Sequence, residues 1–132
     1  MQAVILAGGK GTRLAPYSRV FPKPMMPIGD KTILEILLGQ MKRAGINHVA
    51  LTVGHLAGLM RAFFQDGSQY DLDITYILEE KPLGTAGPLA QVPKLTKTFI
   101  VANGDVLTLL DIADLIRFHK KNKAICTIAM HE

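Results

Sequence analysis

The chain has 132 residues, 48% of them hydrophobic and 20% charged, enough apolar material for one core and too much for a disordered segment. Its formal charge of +4 resides in the first 31 residues, where Lys10, Arg13, Arg19, Lys23 and Lys31 face the single acid Asp30; with no Trp, no aromatic interleaving and no basic helix face, the cluster suits phosphate on a small molecule and argues against nucleic acid as partner. No apolar run approaches a membrane span and none has the form of an export signal, so a cytoplasmic chain without a membrane partner is expected.

In chain order, Ala3 to Leu6 reads as a first strand, followed by a long loop from Leu6 to Lys31 that is broken by Pro16, Pro22, Pro24 and Pro27. A loop of that length inside a small domain is expected to carry function. Thr32 and Glu35 have the spacing of a capping box, and Ile33, Ile36, Leu37, Met41 and Ala44 then fall on one helical face, closed by Gly45. His48 to Val53 reads as a second strand, and Leu56, Leu59, Met60, Phe63 and Phe64 as a helix ending by Gly67. Asp73 to Leu78 is a third strand, a short helix is expected near Thr85, and Phe99 to Ala102 is a fourth strand. Asp111 caps a helix bearing Ile112, Leu115, Ile116 and His119, and Ala124 to Met130 reads as a fifth strand. Cys126, within that last run, has no second thiol and is expected to be an inert core residue. His48, His55, His119 and His131 have no metal-like spacing and read as surface or packing residues.

Strands alternating with helices predict a single α/β domain over residues 1–132, with a mainly parallel, doubly wound, three-layer Rossmann-like sheet and helices on both faces. In such sheets ligands bind beyond the carboxyl ends of the strands. Those ends lead into Gly8 to Arg13, Gly54 and His55, Glu79 to Gly87, and Asn103-Gly104-Asp105, so four sequence-distant segments are expected to meet at one edge.

The glycine loop fits neither common nucleotide fingerprint. Counted from Gly9, the dinucleotide pattern has Leu14 where its third glycine belongs, and the GxxxxGK pattern of a P-loop is absent. The loop also leads into no helix directly, so loop amides and side chains must hold any phosphate.

The segments GGKGTRLAP and FPKPMMPIGDKTILE, continued by LGTAGPL and VANGD, resemble the signature of the sugar-1-phosphate nucleotidyltransferases, also called nucleoside-diphosphate-sugar pyrophosphorylases. The resemblance covers essentially the whole chain in the family's order. It implies that a sugar 1-phosphate attacks the α-phosphorus of a nucleoside triphosphate, giving a nucleotide sugar and pyrophosphate, with Mg²⁺ as cofactor and no covalent enzyme intermediate.

Residue by residue, the resemblance implies a nucleotide site built from Leu6, Ala7, Gly8, Gly9, Gly11, Thr12 and Arg13, with Glu79, Glu80, Gly84 and Thr85 forming the base-reading loop. The glycines admit close approach of backbone to nucleotide. Arg13 and Lys23 are the implied catalytic residues: a planar guanidinium suits the departing pyrophosphate, and a compact ammonium suits an α-phosphate gaining negative charge. Pro22 and Pro24 restrain the backbone around Lys23. Asp105 resembles the family aspartate that ligates Mg²⁺, although an Asp in Asn-Gly-Asp is also an ordinary turn residue. A carboxylate at Glu79 or Glu80 can accept from N1–H and the amino group of guanine, which uracil and thymine lack. That favours guanine, and the Gly84-Thr85-Ala86-Gly87 form resembles the guanylyl branch of the family, which implies GTP with mannose 1-phosphate as the commonest sugar; uridylyl or thymidylyl transfer to another hexose 1-phosphate is the alternative.

The family domain is longer. The chain stops after the expected fifth strand, before the implied sugar-binding segments and a second metal aspartate, and so reads as the nucleotide-binding half. A non-catalytic nucleotide-binding or regulatory module is the competing class. Apolar surface left bare by the missing half is expected to drive homo-oligomer formation.

Overall fold

The computed structural model describes residues 1–81 and 83–130. Pro82, His131 and Glu132 lie outside the described residues, and with them the reading of His131.

The first strand, β1 (Gln2–Ala7), is one residue longer at each end than the apolar run suggests, so Leu6 and Ala7 belong to the sheet rather than to the loop. The loop beyond it is more ordered than its prolines imply. It winds through three 3₁₀ turns, Thr12–Leu14, Tyr17–Arg19 and Lys23–Met25, and then forms a small antiparallel hairpin of β2 (Pro27–Ile28) and β3 (Lys31–Thr32). Helix α1 (Ile33–Arg43) begins where the sequence places it. Thr32 Oγ1 accepts from the Glu35 amide at 3.1 Å while Glu35 Oε2 accepts from the Thr32 amide at 2.7 Å, satisfying two amides that the helix start would leave open. Its buried face is Ile33, Leu34, Leu37, Leu38 and Met41; Ile36 is only half-buried, a rotation of the expected stripe by one residue.

β4 (His48–Val53), α2 (Ala57–Phe64), β5 (Asp73–Leu78), β6 (Phe99–Asn103) and α3 (Ile112–Asn122) complete the order. In place of a helix near Thr85 there is a 3₁₀ segment, Gly87–Gln91, because Pro88 and the glycines do not support a longer run. The main sheet has the order β5-β4-β1-β6, and all of its pairs are parallel.

The two sheet faces are covered unequally. Ala3, Ile5, Ala7, Val49, Leu51, Val53 and Ile74 point toward one face, where α1, α2 and Ile112 of α3 seal a core with Leu34, Leu38, Met60 and Phe64. On the other face Val4, Ala50 and Ile77 meet Val92, with Leu89 and Leu95 from the 3₁₀ segment and the chain after it. The expected helices on both faces thus resolve into three helices on one and a short 3₁₀ turn on the other. Right-handed crossovers account for this: β1 to β4 to β5 steps in one direction, and the step from β5 back past β1 to β6 must cross the opposite face.

Ala124 to Met130 forms no strand. Ile125 and Ile128 are 104% and 75% exposed, and Cys126, expected in the core, is exposed as well. An alternating apolar run states which side chains would bury against a sheet, but strand pairing also needs a neighbouring backbone, and the described residues offer this run none.

Candidate active site

Strand order reverses between β1 and β6, and the crevice beyond their carboxyl ends gathers the loops of all four parallel strands. The Gly104 amide donates to the Leu6 carbonyl at 2.8 Å, and a Cβ on Gly104 would lie 3.2 Å from Ala7 Cβ, so the β6 loop is seated directly on β1. Beside it, a Cβ on Gly54 would come within 2.8 Å of the Gly8 carbonyl oxygen. Only glycine allows these two backbones to run that close. On the far side, the Glu79 amide donates to the Val53 carbonyl at 2.8 Å, and the Glu79 side chain turns back over β4 to place its carboxyl carbon 2.8 Å from where a Gly8 Cβ would be.

The long loop contributes from above. Gly11 takes a left-handed φ of 59°, and a Cβ built there would lie 3.4 Å from Ser18 Cβ and 3.5 Å from Lys23 Cβ. Ser18 is buried, and its carbonyl accepts from His55 Nε2 at 3.1 Å, which ties the glycine loop to the end of β4. A carbonyl can only accept, so that contact places the proton on Nε2. Pro24 and Met25 are buried in the 3₁₀ turn that starts at Lys23, and Pro22 is buried just before it. From this anchored backbone the Lys23 ammonium reaches across the crevice and pairs with Asp105 Oδ2, 82 positions away in the sequence.

The structure therefore unites Gly8, Gly11, Lys23, Glu79 and Asp105. Gly9, Thr12, Arg13, Glu80, Gly84 and Thr85 sit exposed on the surrounding loops, and among the described residues Arg13, Glu80 and Thr85 make no side-chain hydrogen bond. Gly84, at φ 71°, needs its glycine for backbone conformation. Three supporting residues carry little functional signal of their own in the sequence: Gly54 stands at a strand end, the buried Ser18 resembles any loop serine, and Thr52, fully buried, receives the Ala7 amide on Oγ1 at 3.4 Å. A threonine in the middle of an apolar strand was the one available signal.

Among the described residues no three His, Cys, Asp or Glu side chains cluster as a metal cage. Asp105 is a single carboxylate facing the crevice, with its side chain 32% exposed. One carboxylate fits Mg²⁺ of the kind that takes its other ligands from water and substrate phosphates.

The family model described as "Nucleotidyl transferase" matches residues 2–132. The chain belongs to the nucleotidyl transferase family. Its most similar curated relatives include a mannose-1-phosphate guanylyltransferase of Mycobacterium tuberculosis, 45% identical over 98% of this chain and 37% of the relative. A UTP–glucose-1-phosphate uridylyltransferase of Synechocystis is 37% identical over 97% of this chain and 36% of its own. The chain thus spans little more than a third of these relatives' length. Among solved structures, HddC from Yersinia pseudotuberculosis complexed with GMP-PN superposes with a TM-score of 0.78 at 32% identity, over 89% of this chain and 53% of that one. No helix among the described residues of this nucleotidyl transferase chain is long and apolar enough to cross a membrane.

Proposed function

We propose that this chain is the nucleotide-binding portion of an enzyme that transfers guanylyl from GTP to a sugar 1-phosphate, with mannose 1-phosphate as the sugar, releasing pyrophosphate. The observation that carries the reading is the convergence of Gly8, Lys23, Glu79 and Asp105 at the crevice where strand order reverses. The glycine backbone leaves room for a flat base and a phosphate chain. Lys23 and Arg13 supply positive charge for the α-phosphate and the departing pyrophosphate, and they act by preorganised attraction rather than by bond formation. Asp105 would hold Mg²⁺, whose contribution when bound is to neutralise phosphate charge.

Of the two candidate carboxylates, Glu79 is favoured as the base reader. Its side chain packs against Gly8 inside the crevice, whereas Glu80 is exposed. Uridylyl and thymidylyl transfer remain the alternatives, since a uridylyltransferase stands among the relatives. Calorimetric titration with GTP, UTP, dTTP and ATP in the presence of Mg²⁺ tests the choice. GTP is expected to bind more tightly than UTP or dTTP by ~1 to 3 kcal/mol, the scale of a buried polar mismatch. Equal affinities would remove the guanylyl assignment. Pyrophosphate release that depends on added sugar 1-phosphate separates an enzyme from a non-catalytic nucleotide-binding module.

A further inference from the structure

The ion pair between Lys23 and Asp105 joins the two groups that the proposed function assigns to different partners, Lys23 to phosphate and Asp105 to a divalent cation. With the ammonium on Oδ2, Lys23 is drawn away from phosphate and sets a positive charge against the carboxylate that would ligate a cation, so the pair as found opposes both assigned contacts. The two side chains are 40% and 32% exposed, and a pair so open to water is held weakly enough for a ligand to displace it. The backbone beneath Lys23 is fixed: the Met25 amide donates to the Pro22 carbonyl at 2.9 Å, the Met26 amide to the Lys23 carbonyl at 3.0 Å, and Pro22 and Pro24 are buried. Only the four-carbon stem has to move. It starts beside Gly11, at the mouth of the glycine loop, so rotation about its own torsions carries the ammonium from Asp105 toward any phosphate held there.

We infer that Lys23 and Asp105 hold each other inactive in the nucleotide-free chain, and that a divalent cation arriving at Asp105 releases the Lys23 ammonium to the phosphates. Metal and nucleotide phosphate binding are then coupled in the same direction, each easing the other, because both draw on the breaking of one ion pair. The inference rests on the reading of Asp105 as metal ligand and adds to it a competition: the cation and the Lys23 ammonium contend for one carboxylate, and the cation's gain frees the ammonium.

The test measures Mn²⁺ binding by electron paramagnetic resonance, without nucleotide, on the wild-type chain and on Lys23→Gln, Asp105→Asn and the double variant, with circular dichroism confirming that all four fold. Removing a unit positive charge a few ångströms from a divalent ion in a water-rich site is expected to tighten Mn²⁺ binding by about ten-fold in Lys23→Gln. Asp105→Asn is expected to abolish binding, and Lys23→Gln to restore nothing in that background. Equal Mn²⁺ affinity in wild type and Lys23→Gln, including no binding by either, overturns the coupling. A gain of similar size that persists in the Asp105→Asn background also overturns it, because it would report general charge rather than this pair. The nucleotide titration above fails separately if the chain is no guanylyltransferase at all.

Discussion

The α-carbon of Gly8 faces the Glu79 carboxylate, whose carboxyl carbon lies 2.8 Å from the position of a Cβ on residue 8. Gly8 directly follows β1 and Glu79 directly follows β5, so the contact spans the width of β4. What a substitution meets there is the far end of a flexible side chain, which can swing aside. Gly8→Ala is therefore expected to leave thermal stability nearly unchanged while displacing the carboxylate and removing the preference for GTP over UTP. Gly54→Ala makes the contrast, since its Cβ would meet the Gly8 carbonyl oxygen at 2.8 Å and only a backbone shift relieves that. A loss of about 1 to 3 kcal/mol in denaturant unfolding is expected for Gly54→Ala, and parity between the two variants would contradict the geometry.

Charge at the phosphates gives a second expectation. In a full-length relative that carries these motifs, Arg13→Ala or Lys23→Ala should lower turnover by roughly 10²-fold or more with the fold intact, the usual effect of removing a preorganised transition-state donor. Steady-state kinetics with GTP and sugar 1-phosphate measure it. Near-normal turnover in either variant would return that residue to the solvated charges.

Alkaline pH reports on the joint between α1 and the turn before β5. The Tyr70 hydroxyl donates to Glu35 Oε1 at 3.2 Å, and burial, together with the Glu35 carboxylate, pushes the Tyr70 hydroxyl up to about 12. An unfolded tyrosine loses its proton near 10, so between about 10 and about 12 the folded state holds a proton that the unfolded state has released. Stability from this group is full below about pH 10 and is lost as pH rises toward 12. Denaturant unfolding across that range should show a shallower decline for Tyr70→Phe than for wild type. Burial raises Tyr76 in the same direction, so some decline persists in the variant.

The last quarter of the chain carries a run of exposed apolar side chains, including Val101 on β6 and Ile125, Ile128 and Met130 beyond α3. Such surface favours association in water. The isolated chain is expected to self-associate with rising concentration in light scattering, and Ile125→Lys with Ile128→Lys should shift it toward monomer without changing its circular dichroism. A wild-type chain that stays monomeric at high concentration would refute this.

The positions of β1, α1, β4, β5, β6 and α3 followed from short-range chemistry. Period-two and period-3.6 apolar spacing, the Thr32 to Glu35 box and the Asp111 cap, whose Oδ1 accepts from the Ala113 and Asp114 amides, are written in neighbouring residues and act before any tertiary contact forms. The alternation of strands and helices then implied parallel pairing, and with it the edge at which the loops had to meet. Tertiary structure decided the rest. Which side of the sheet each connection covers depends on strand order, which no local pattern encodes. Whether Ala124 to Met130 pairs depends on a neighbouring backbone, and that requirement left a strand-like run and Cys126 in solvent. The sequence identified Lys23 and Asp105 as a cation and an anion on separate loops. Only folding set them against each other across 82 residues, because distance in space, and not charge alone, makes an ion pair.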